Sequence, residues 1–430
     1  MAGDLRATPV RELLDQGKLV IGDGYRAKNE ELSSAGLPFA RAQNIDAGFK
    51  FEDSDCIPEA SVHRVGNKVS QPGDVVFTSK GTVGRFAIVS VDTPKFVYSP
   101  QVCFWRSLDH DTIAPRWLYY WMQGAEFGIQ YKGVAGQTDM ADYVSLRDQR
   151  RMSISLPEAA VQRAIADILG TLDDKIELNR RMNETLEAIA RAMFKSWFVD
   201  FDPVRAKASG EPHESICRRL RLTPDLLAIF PERFVDSELG EIPEGWKVGL
   251  LGECIEILDS KRVPLSSRER EVRRGQYPYH GAASVMDYVD DFLFDGVHVL
   301  AGEDGSVLSS GGKPVLQYVW GKFWVNNHAH VLRGLPPVSH EQLLLQLGEV
   351  NIGPFVTGAV QAKLSQSNLR RIEVVHAPNQ VCSAFGSQVG PLFDAIRSRT
   401  DESRTLAVAR DALLTEIFSG GVRVPFQGAS

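Results

Sequence analysis

The sequence has few cysteines and no long apolar run. Its five cysteines (Cys56, Cys103, Cys217, Cys254 and Cys382) are scattered, odd in number and never in a CxxC pair. This usage indicates a reducing compartment and argues against a zinc site. No window approaches the roughly 18 apolar residues of a membrane span, and the start, MAGDLRATPVREL, has no apolar signal core. We therefore expect a cytoplasmic protein with no membrane partner.

The common catalytic motifs are also missing from the sequence. The segment Gly311–Pro314 is no Walker A motif, because its Lys is followed by Pro, and no G-x-G-x-x-G follows a predicted strand. Neither Asn-Pro-Pro-Tyr nor Asp-Pro-Pro-Tyr, which an amino-methylating enzyme would carry, is present. The acidic pair Glu303-Asp304 has no further acidic-x-Lys element for a nuclease, and a turn with Asp-Gly at its apex is the alternative. We therefore expect no catalytic residue in this chain.

A histidine pair raises the question of a metal site. His328 and His330 are two residues apart on a predicted strand, so they would face the same side. No Cys or carboxylate lies at the tight spacing of a zinc motif. Sheet packing, or a polar face that meets a ligand, explains the pair better, and we expect no metal site.

The chain has no excess of positive charge. Its formal net charge is -7, which counts mildly against a nucleic-acid partner, since phosphate binders usually carry a basic surface. Only the local field at a binding face matters, however. Basic residues do recur in local groups, such as Lys261-Arg262 and Arg268–Arg274.

What the sequence does contain is an internal repeat. The segments Gly133–Trp197 and Val356–Gly421 share one order of features. In both, a segment of small residues and Gln leads to an Arg-Arg pair, a short β-rich run, a Pro and about forty residues of helical periodicity. A chain of two such halves suits a partner that is contacted at two places.

The repeat divides the chain into a first α/β region (1–156), a long helix (157–200), a linker with short helices (201–240), a second α/β region (241–378) and a C-terminal long helix (379–420). In the first region, Val75–Val89 has the pattern of a hairpin and Pro115–Gln123 that of a short helix with Pro at its start. In the second, FWVNNHAHVLRG aligns with FVYSPQVCFWRSL of the first.

Both long helices carry a heptad-like apolar stripe, which predicts that they pack on each other as a coiled coil. In the first helix the stripe includes Ile168, Met182 and Ile189, with Asn179 as a polar residue that sets register. In the second, Gly390-Pro391 should kink the helix or separate its first turns. If the pair is antiparallel, the α/β regions lie at opposite ends of a rod of roughly 57 Å. One turn of duplex DNA advances ~34–36 Å, so both regions could contact one DNA molecule.

Candidate DNA contacts in the first α/β region lie on two loops. Lys80 and Arg85 flank a Gly-rich tip that includes Thr82, and cations beside exposed amides suit a phosphate contact; a plain hairpin turn is the alternative. Gln137 and Thr138 lie on a segment of small residues, where Gln could pair with adenine; an ordinary loop is the alternative.

The second α/β region offers matching candidates at corresponding places. They supply donors, acceptors and stacking surfaces, and comprise Tyr279, His280, Asn327, His328, Gln361 and Lys363. Each is weak evidence by itself, but their recurrence in two regions is stronger.

The chain closely resembles the specificity subunits of type I restriction–modification systems. The resemblance is carried by LPEAAVQRAIADILGTLDDKIELNRRMNETLEAIARAMFKSWFVDFDPVRAK, LGEIPEGWKVGLLGE and ALLTEIFSGGVRV, and it covers essentially the whole chain. It implies an α+β protein in which two similar mixed α/β target recognition domains are separated by two long helices packed as an antiparallel coiled coil. The first region departs from the pattern, because it begins at Ala7-Thr8-Pro9-Val10 without the IPEGW of the second.

The resemblance also implies a function and a set of partners. Each recognition domain would recognise one half of a split double-stranded DNA site, and the helices would dock two methyltransferase subunits, with restriction/translocase subunits completing the complex. S-adenosylmethionine, ATP and Mg are then expected on the partner subunits, and no cofactor on this one. The alternatives are a coiled-coil adaptor that only bridges proteins, and a self-sufficient DNA methyltransferase, which needs a methyl-donor motif that the sequence lacks.

Overall fold

The computed structural model describes residues 7–52, 54–79, 84–135, 144–358 and 360–421. The chain forms two compact units. Unit 1 contains the described residues of Met1–Leu178 and Glu402–Ser430, and unit 2 is Asn179–Asp401. Within the described ranges, no helix combines the length and the apolar character needed to cross a membrane.

Unit 1 holds the first α/β region. Its elements are β1 (Ala7–Pro9), α1 (Val10–Asp15), β2 (Leu19–Asp23), β3 (Leu37–Ala40), α2 (Ala42–Phe49), β4 (Cys56–Ile57), β5 (Val75–Thr78), β6 (Phe86–Ile88), β7 (Val97–Tyr98), β8 (Val102–Ser107), α3 (Pro115–Gln123), α4 (Ala125–Ala135), α5 (Leu146–Gln149) and β9 (Ser153–Ser155). The hairpin expected over Val75–Val89 is the antiparallel pair β5 and β6, and the Pro-initiated helix is α3. Both predictions are confirmed.

The long helix α6 (Ala159–Phe198) is followed by the elements of unit 2. These are α7 (Asp202–Ala208), α8 (His213–Leu220), α9 (Pro224–Ala228), β10 (Phe234–Ser237), β11 (Gly240–Pro243), β12 (Lys247–Leu250), β13 (Ile255–Ile257), α10 (Ser267–Val272), β14 (Arg274–His280), β15 (Val285–Val289), β16 (Phe294–Asp295), β17 (His298–Gly302), β18 (Leu316–Val319), β19 (Lys322–Val325), β20 (Ala329–Gly334), α11 (His340–Glu349), α12 (Gln366–Arg370) and β21 (Glu373–His376). The second long helix, α13, spans Asn379–Ser419.

The two α/β regions have the same sheet topology, which confirms the repeat seen in the sequence. A four-stranded antiparallel sheet has the order β2-β8-β5-β6 in unit 1 and β13-β20-β17-β18 in unit 2. Beside it, a second sheet contains one parallel pair, β3 with β7 in unit 1 and β14 with β19 in unit 2. A two-strand ladder closes each region, β1 with β9 and β12 with β21. Although the first region lacks IPEGW, its opening strand therefore pairs as the second one's does.

An aromatic core holds the first α/β region together. Trp105 on β8 packs against Trp121 of α3 and Phe127 of α4, with ring centroids 6.1 Å away in both cases. The indole Nε1 of Trp105 donates a hydrogen bond of 2.9 Å to Gln149 Oε1. Because this polar atom is satisfied, the large apolar surface of the ring can be buried without an uncompensated donor.

The long helices run antiparallel within each unit. In unit 2, Asn183 Nδ2 donates to Thr400 Oγ1 at 3.0 Å, and further along α6 Phe194 packs edge-on against Phe385. In unit 1, Arg410 pairs with Asp173 at 2.7 Å. Residues further along α6 thus contact residues earlier along α13. The antiparallel coiled coil is confirmed in both units.

Two details of the helices differ from the sequence expectation. Ile168, Met182 and Ile189 of α6 are exposed, while Leu169 and Ala190 are buried. The buried pair Leu169 and Ala190 is three heptads apart, as is the exposed pair Ile168 and Ile189, so the seven-residue period holds and the contact face is offset by one position from the predicted stripe. The separation of the first turns at Gly390-Pro391 was wrong, because α13 continues through Pro391 as one helix; the alternative, a kink at this point, stays a prediction.

Asn179 lies where the stripe placed it. Its side chain is fully buried and Nδ2 donates to the carbonyl oxygen of Arg399 at 3.5 Å. A buried amide that bonds the backbone of the opposite helix favours one register of the pair, since any shift would leave it in an apolar contact.

Candidate nucleic-acid interface

Three chain segments cross at one point in unit 2. The amide of Glu303, just after β17, donates to His328 O at 2.8 Å, and the amide of Leu364 donates to Glu303 O at 2.8 Å. Next to them, Gly305 N donates to Ala362 O at 3.0 Å. We call this arrangement the crossing. Its backbone bonds join the end of β17, the turn between β19 and β20, and the segment before α12.

Several sequence-predicted residues meet on the accessible side of the crossing. His328 contacts Asp304 through Nδ1 and keeps 45% of its side chain exposed. Lys363 is 54% exposed, with Nζ 3.8 Å from Glu303 Oε1. Gln361 and Asn327 are exposed as well. The structure therefore brings donors, acceptors and a cation from two separate stretches of sequence to one face.

A tight turn presents Gln361. Lys363 and Thr357 exchange backbone hydrogen bonds of 2.7 and 2.8 Å, which close the short loop between them. Gly358 has φ +96°, and a Cβ there would lie 2.1 Å from Gln361 O. Only glycine fits such a position, because a side chain would clash with backbone that cannot move.

A buried ion network supports the crossing from below. Arg262 contacts Glu303 Oε2 at 2.7 Å and Asp259 Oδ2 at 3.3 Å. The ring of His330 has Nδ1 2.6 Å from Asp259 Oδ2 and Nε2 2.8 Å from Leu364 O. The network thus ties the strand β20 to both other segments of the crossing.

The charges in this network compensate one another. Burial would raise the pKa of Asp259, but the hydrogen bond and charge of His330, the amide of Val331 and the charge of Arg262 outweigh it and lower that pKa. The carboxylate is therefore ionised at neutral pH.

The same network contains a possible set of metal ligands. Among the residues that the structure describes, Asp259, Glu303 and His330 each offer an atom within 4.8 Å of the others. Arg262 already lies against both carboxylates, and each ring nitrogen of His330 has an oxygen partner. The guanidinium takes the lone pairs that a cation would need, so the geometry favours an ion network over a metal centre.

Tyr279 and His280 are both buried. The ring of Tyr279 is 1% exposed, and its hydroxyl accepts a hydrogen bond of 2.9 Å from Leu265 N. His280 is buried, with Nδ1 3.0 Å from Gln317 Oε1. In this arrangement both side chains support the sheet, and neither presents its ring to an external partner.

Unit 1 has the same crossing. Ser79 N donates to Gln101 O at 3.0 Å, and Val144 N donates to Ser79 O at 3.2 Å. Arg85 lies beside it, with its backbone amide 3.2 Å from Thr78 Oγ1 and Nη1 3.4 Å from Ala42 O.

The other candidates of the first region, Lys80, Thr82, Gln137 and Thr138, fall outside the described residues. Two of the described residues that border their segments, Ser79 and Val144, belong to the crossing.

Sequence reasoning missed two groups at these sites. The first is the ion network, whose partners Asp259 and Arg262 gave no local signal of burial. The second is Gln101, although the alignment of FVYSPQVCFWRSL with FWVNNHAHVLRG already placed it opposite His328.

Fold and site together define a duplicated α/β protein with two equivalent loop sites and an antiparallel helix pair. A family model described as the type I restriction modification DNA specificity domain matches residues 18–188 and 243–379. The HindI specificity subunit of Haemophilus influenzae is 24% identical over 403 residues, covering 83% of this chain and 88% of the relative. The MjaIX specificity subunit of Methanocaldococcus jannaschii is 24% identical over 437 residues, covering 96% and 93%.

A solved structure agrees in fold. The type I restriction–modification S subunit from M. genitalium aligns with a TM-score of 0.54 at 14% identity, covering all of this chain and 98% of that one. The chain belongs to the type I restriction–modification DNA specificity family, and its function is that of the DNA specificity subunit. None of these comparisons favours a bridging adaptor.

Proposed function

We propose that this chain is a non-catalytic subunit whose two α/β regions each recognise one half of a bipartite site in double-stranded DNA. The observation that carries the proposal is the crossing, which recurs in both units through two equivalent backbone bonds. Two equivalent sites on one chain suit two half-sites on one duplex, because a fixed scaffold converts two weak contacts into one strong one.

The proposed domains follow the repeat. Residues 1–156 and 241–378 are the two target recognition domains, and 157–200 and 379–420 are the helices that set the spacing between half-sites. Residues 201–240 link them. Asn179 supports this role, since a buried polar contact fixes the register of the two helices and hence the extent to which they overlap.

The partners follow from the family. We propose that the helices dock methyltransferase subunits, two per chain, and that restriction/translocase subunits join them. Met182 and Ile189 support a docking role because they are exposed apolar residues seven positions apart on α6. S-adenosylmethionine, ATP and Mg would then be bound by those partners, and no cofactor by this chain.

The proposed DNA contacts divide into two kinds. Lys80, Arg85 and Lys363 would contact phosphates, which fix position without carrying sequence information. Gln137 and Gln361 would contact base edges, with Thr82, Thr138, Asn327 and His328 as further polar contacts. Tyr279 and His280 would act indirectly, by supporting the sheet that carries His328.

Methylome sequencing of the host tests the proposal. A two-part adenine motif should be methylated in the parent strain and lose its methylation when the gene for this chain is deleted. Replacing residues 241–378 by the corresponding region of another family member should change one half of the motif and leave the other half intact. An unchanged methylome after deletion, or a swap that alters both halves, would contradict the proposal.

A further inference from the structure

The two crossings correspond residue by residue. Ser79 N bonds Gln101 O in unit 1, as Glu303 N bonds His328 O in unit 2. The register of the adjoining strands agrees as well, since Phe77 pairs with Cys103 and Ala301 with His330. Gln101 therefore occupies in the first region the place that His328 occupies in the second.

The third segment of the crossing is held at an equivalent carbonyl oxygen in both units, but by a different side chain in each. In unit 2, His330 Nε2 lies 2.8 Å from Leu364 O. In unit 1, Gln149 Nε2 donates to Val144 O at 3.3 Å and to Cys103 Sγ at 3.3 Å. Since unlike side chains hold the equivalent backbone atom, the correspondence does not depend on similar sequence.

The surroundings of Gln101 suit a contact with a DNA base. The residue is exposed at the turn between β7 and β8. Its Oε1 is 3.5 Å from Ala42 N, at the long limit of a hydrogen bond, so little is lost when the amide turns to another partner. Arg85 Nη1 lies 3.4 Å from the carbonyl oxygen of the same Ala42. Gln101, a neutral donor–acceptor group, and Arg85, a cation suited to phosphate, thus contact the same residue.

We propose that Gln101 is a specificity-determining residue of the first recognition domain, whose carboxamide contacts the edge of an adenine in its half-site. An amide offers one donor and one acceptor in the geometry that matches adenine N7 and N6 in the major groove. The inference rests on the proposed function and names a residue for one of its two half-sites.

The test uses the complex of this chain with its methyltransferase subunits and the bipartite duplex found by methylome sequencing. Methylation rates are measured on that duplex and on duplexes with single base-pair changes in either half. Gln101→Ala should lower discrimination about tenfold at one base pair of one half, since a bidentate contact contributes roughly 5- to 150-fold. Discrimination in the other half should be unchanged.

Three further variants sharpen the result. His328→Ala should relax a position in the opposite half. Gln101→Glu, which keeps length and shape but not the donor, should relax the same base pair as Gln101→Ala. Gln16→Ala removes an exposed glutamine of unit 1 that bonds only Glu12 among the contacts described, and should change nothing.

Two results would overturn the inference: full discrimination in both Gln101 variants, or an equal loss in both halves, which would indicate a merely structural role. If the Gln101→Ala chain fails to assemble with the methyltransferase subunits, the discrimination measured with Gln101→Glu supports or refutes the assignment instead. A parent complex that methylates no bipartite site would instead refute the proposed function itself.

Discussion

Replacing Arg262 by Met is the sharpest test of the ion network beneath the second crossing. The guanidinium is 10% exposed and contacts two carboxylates, Asp259 and Glu303, which are 3% and 15% exposed. It also donates to Ala329 O at 2.6 Å. Methionine keeps most of the apolar volume, so the substitution removes the charge and the hydrogen bonds rather than the packing.

The expected loss is about 3–5 kcal/mol, the range for removing one partner of a buried ion pair, because a charge is left without compensation. Asp259 keeps His330 and Gln366, whose Nε2 donates to it at 2.7 Å. Apart from His330, whose Nδ1 is 3.7 Å from Oε2, Glu303 keeps among the described ion pairs only the contact with Lys363 at 3.8 Å. Most of the loss should therefore arise at Glu303.

Urea unfolding of the full chain, followed by tryptophan fluorescence, measures this loss. Arg163→Met is the matched control, because its pair with Asp111 is exposed on both sides and contributes almost nothing. Adding Glu303→Gln to Arg262→Met should recover part of the stability by removing the uncompensated charge. A loss below about 1 kcal/mol in Arg262→Met, or no recovery in the double variant, would refute the reasoning.

Three further predictions concern single residues. Lys363→Ala should reduce the slope of log affinity against log salt by about 0.9, the value for one lost phosphate contact, in salt titrations of DNA binding by the complex; an unchanged slope would exclude that contact. Burial lowers the pKa of His298 to about 4, so its neutral form favours folding: this stability is present above about pH 6.5 and roughly 3 kcal/mol is lost by pH 4. His298→Phe should flatten urea-unfolding stability across that window, and an equal pH dependence in both proteins would contradict the assignment. Burial also raises the pKa of the Cys254 thiol to about 12, so at pH 8 a thiol reagent should modify the partly buried Cys217 well before the buried Cys254, as mass spectrometry of the labelled peptides would show.

Local patterns in the sequence predicted much of the fold. The hairpin of β5 and β6 followed from two β-rich runs around a Gly-bearing loop, and α3 from a Pro at the start of an aromatic run. The internal repeat predicted two regions of one topology before any pairing was known. These features could be predicted because their signals lie within short segments or in the repetition of one segment pattern.

Tertiary features were harder to predict. Asp259 and His330 are 71 residues apart, and only the pairing of β13 with β20 brings their segments together. Tyr279 and His280 have side chains suited to a ligand, yet both are buried at the parallel pair of β14 and β19. Residue type suggests what a side chain can bind, but its exposure depends on which other strand packs over it. The sequence of a short strand does not show which strand that will be.

The crossing separates what holds the loop from what the loop presents. Its bonds in unit 2 join backbone atoms of Glu303, His328 and Leu364, and the buried network below adds bonds to Leu364 O and to the Glu303 carboxylate. Because a backbone bond does not depend on the side chain, an exposed residue such as Gln361 can be exchanged with little effect on folding. A fold of this kind can change the bases it recognises at low cost in stability, provided that Gly358 and the buried ions remain.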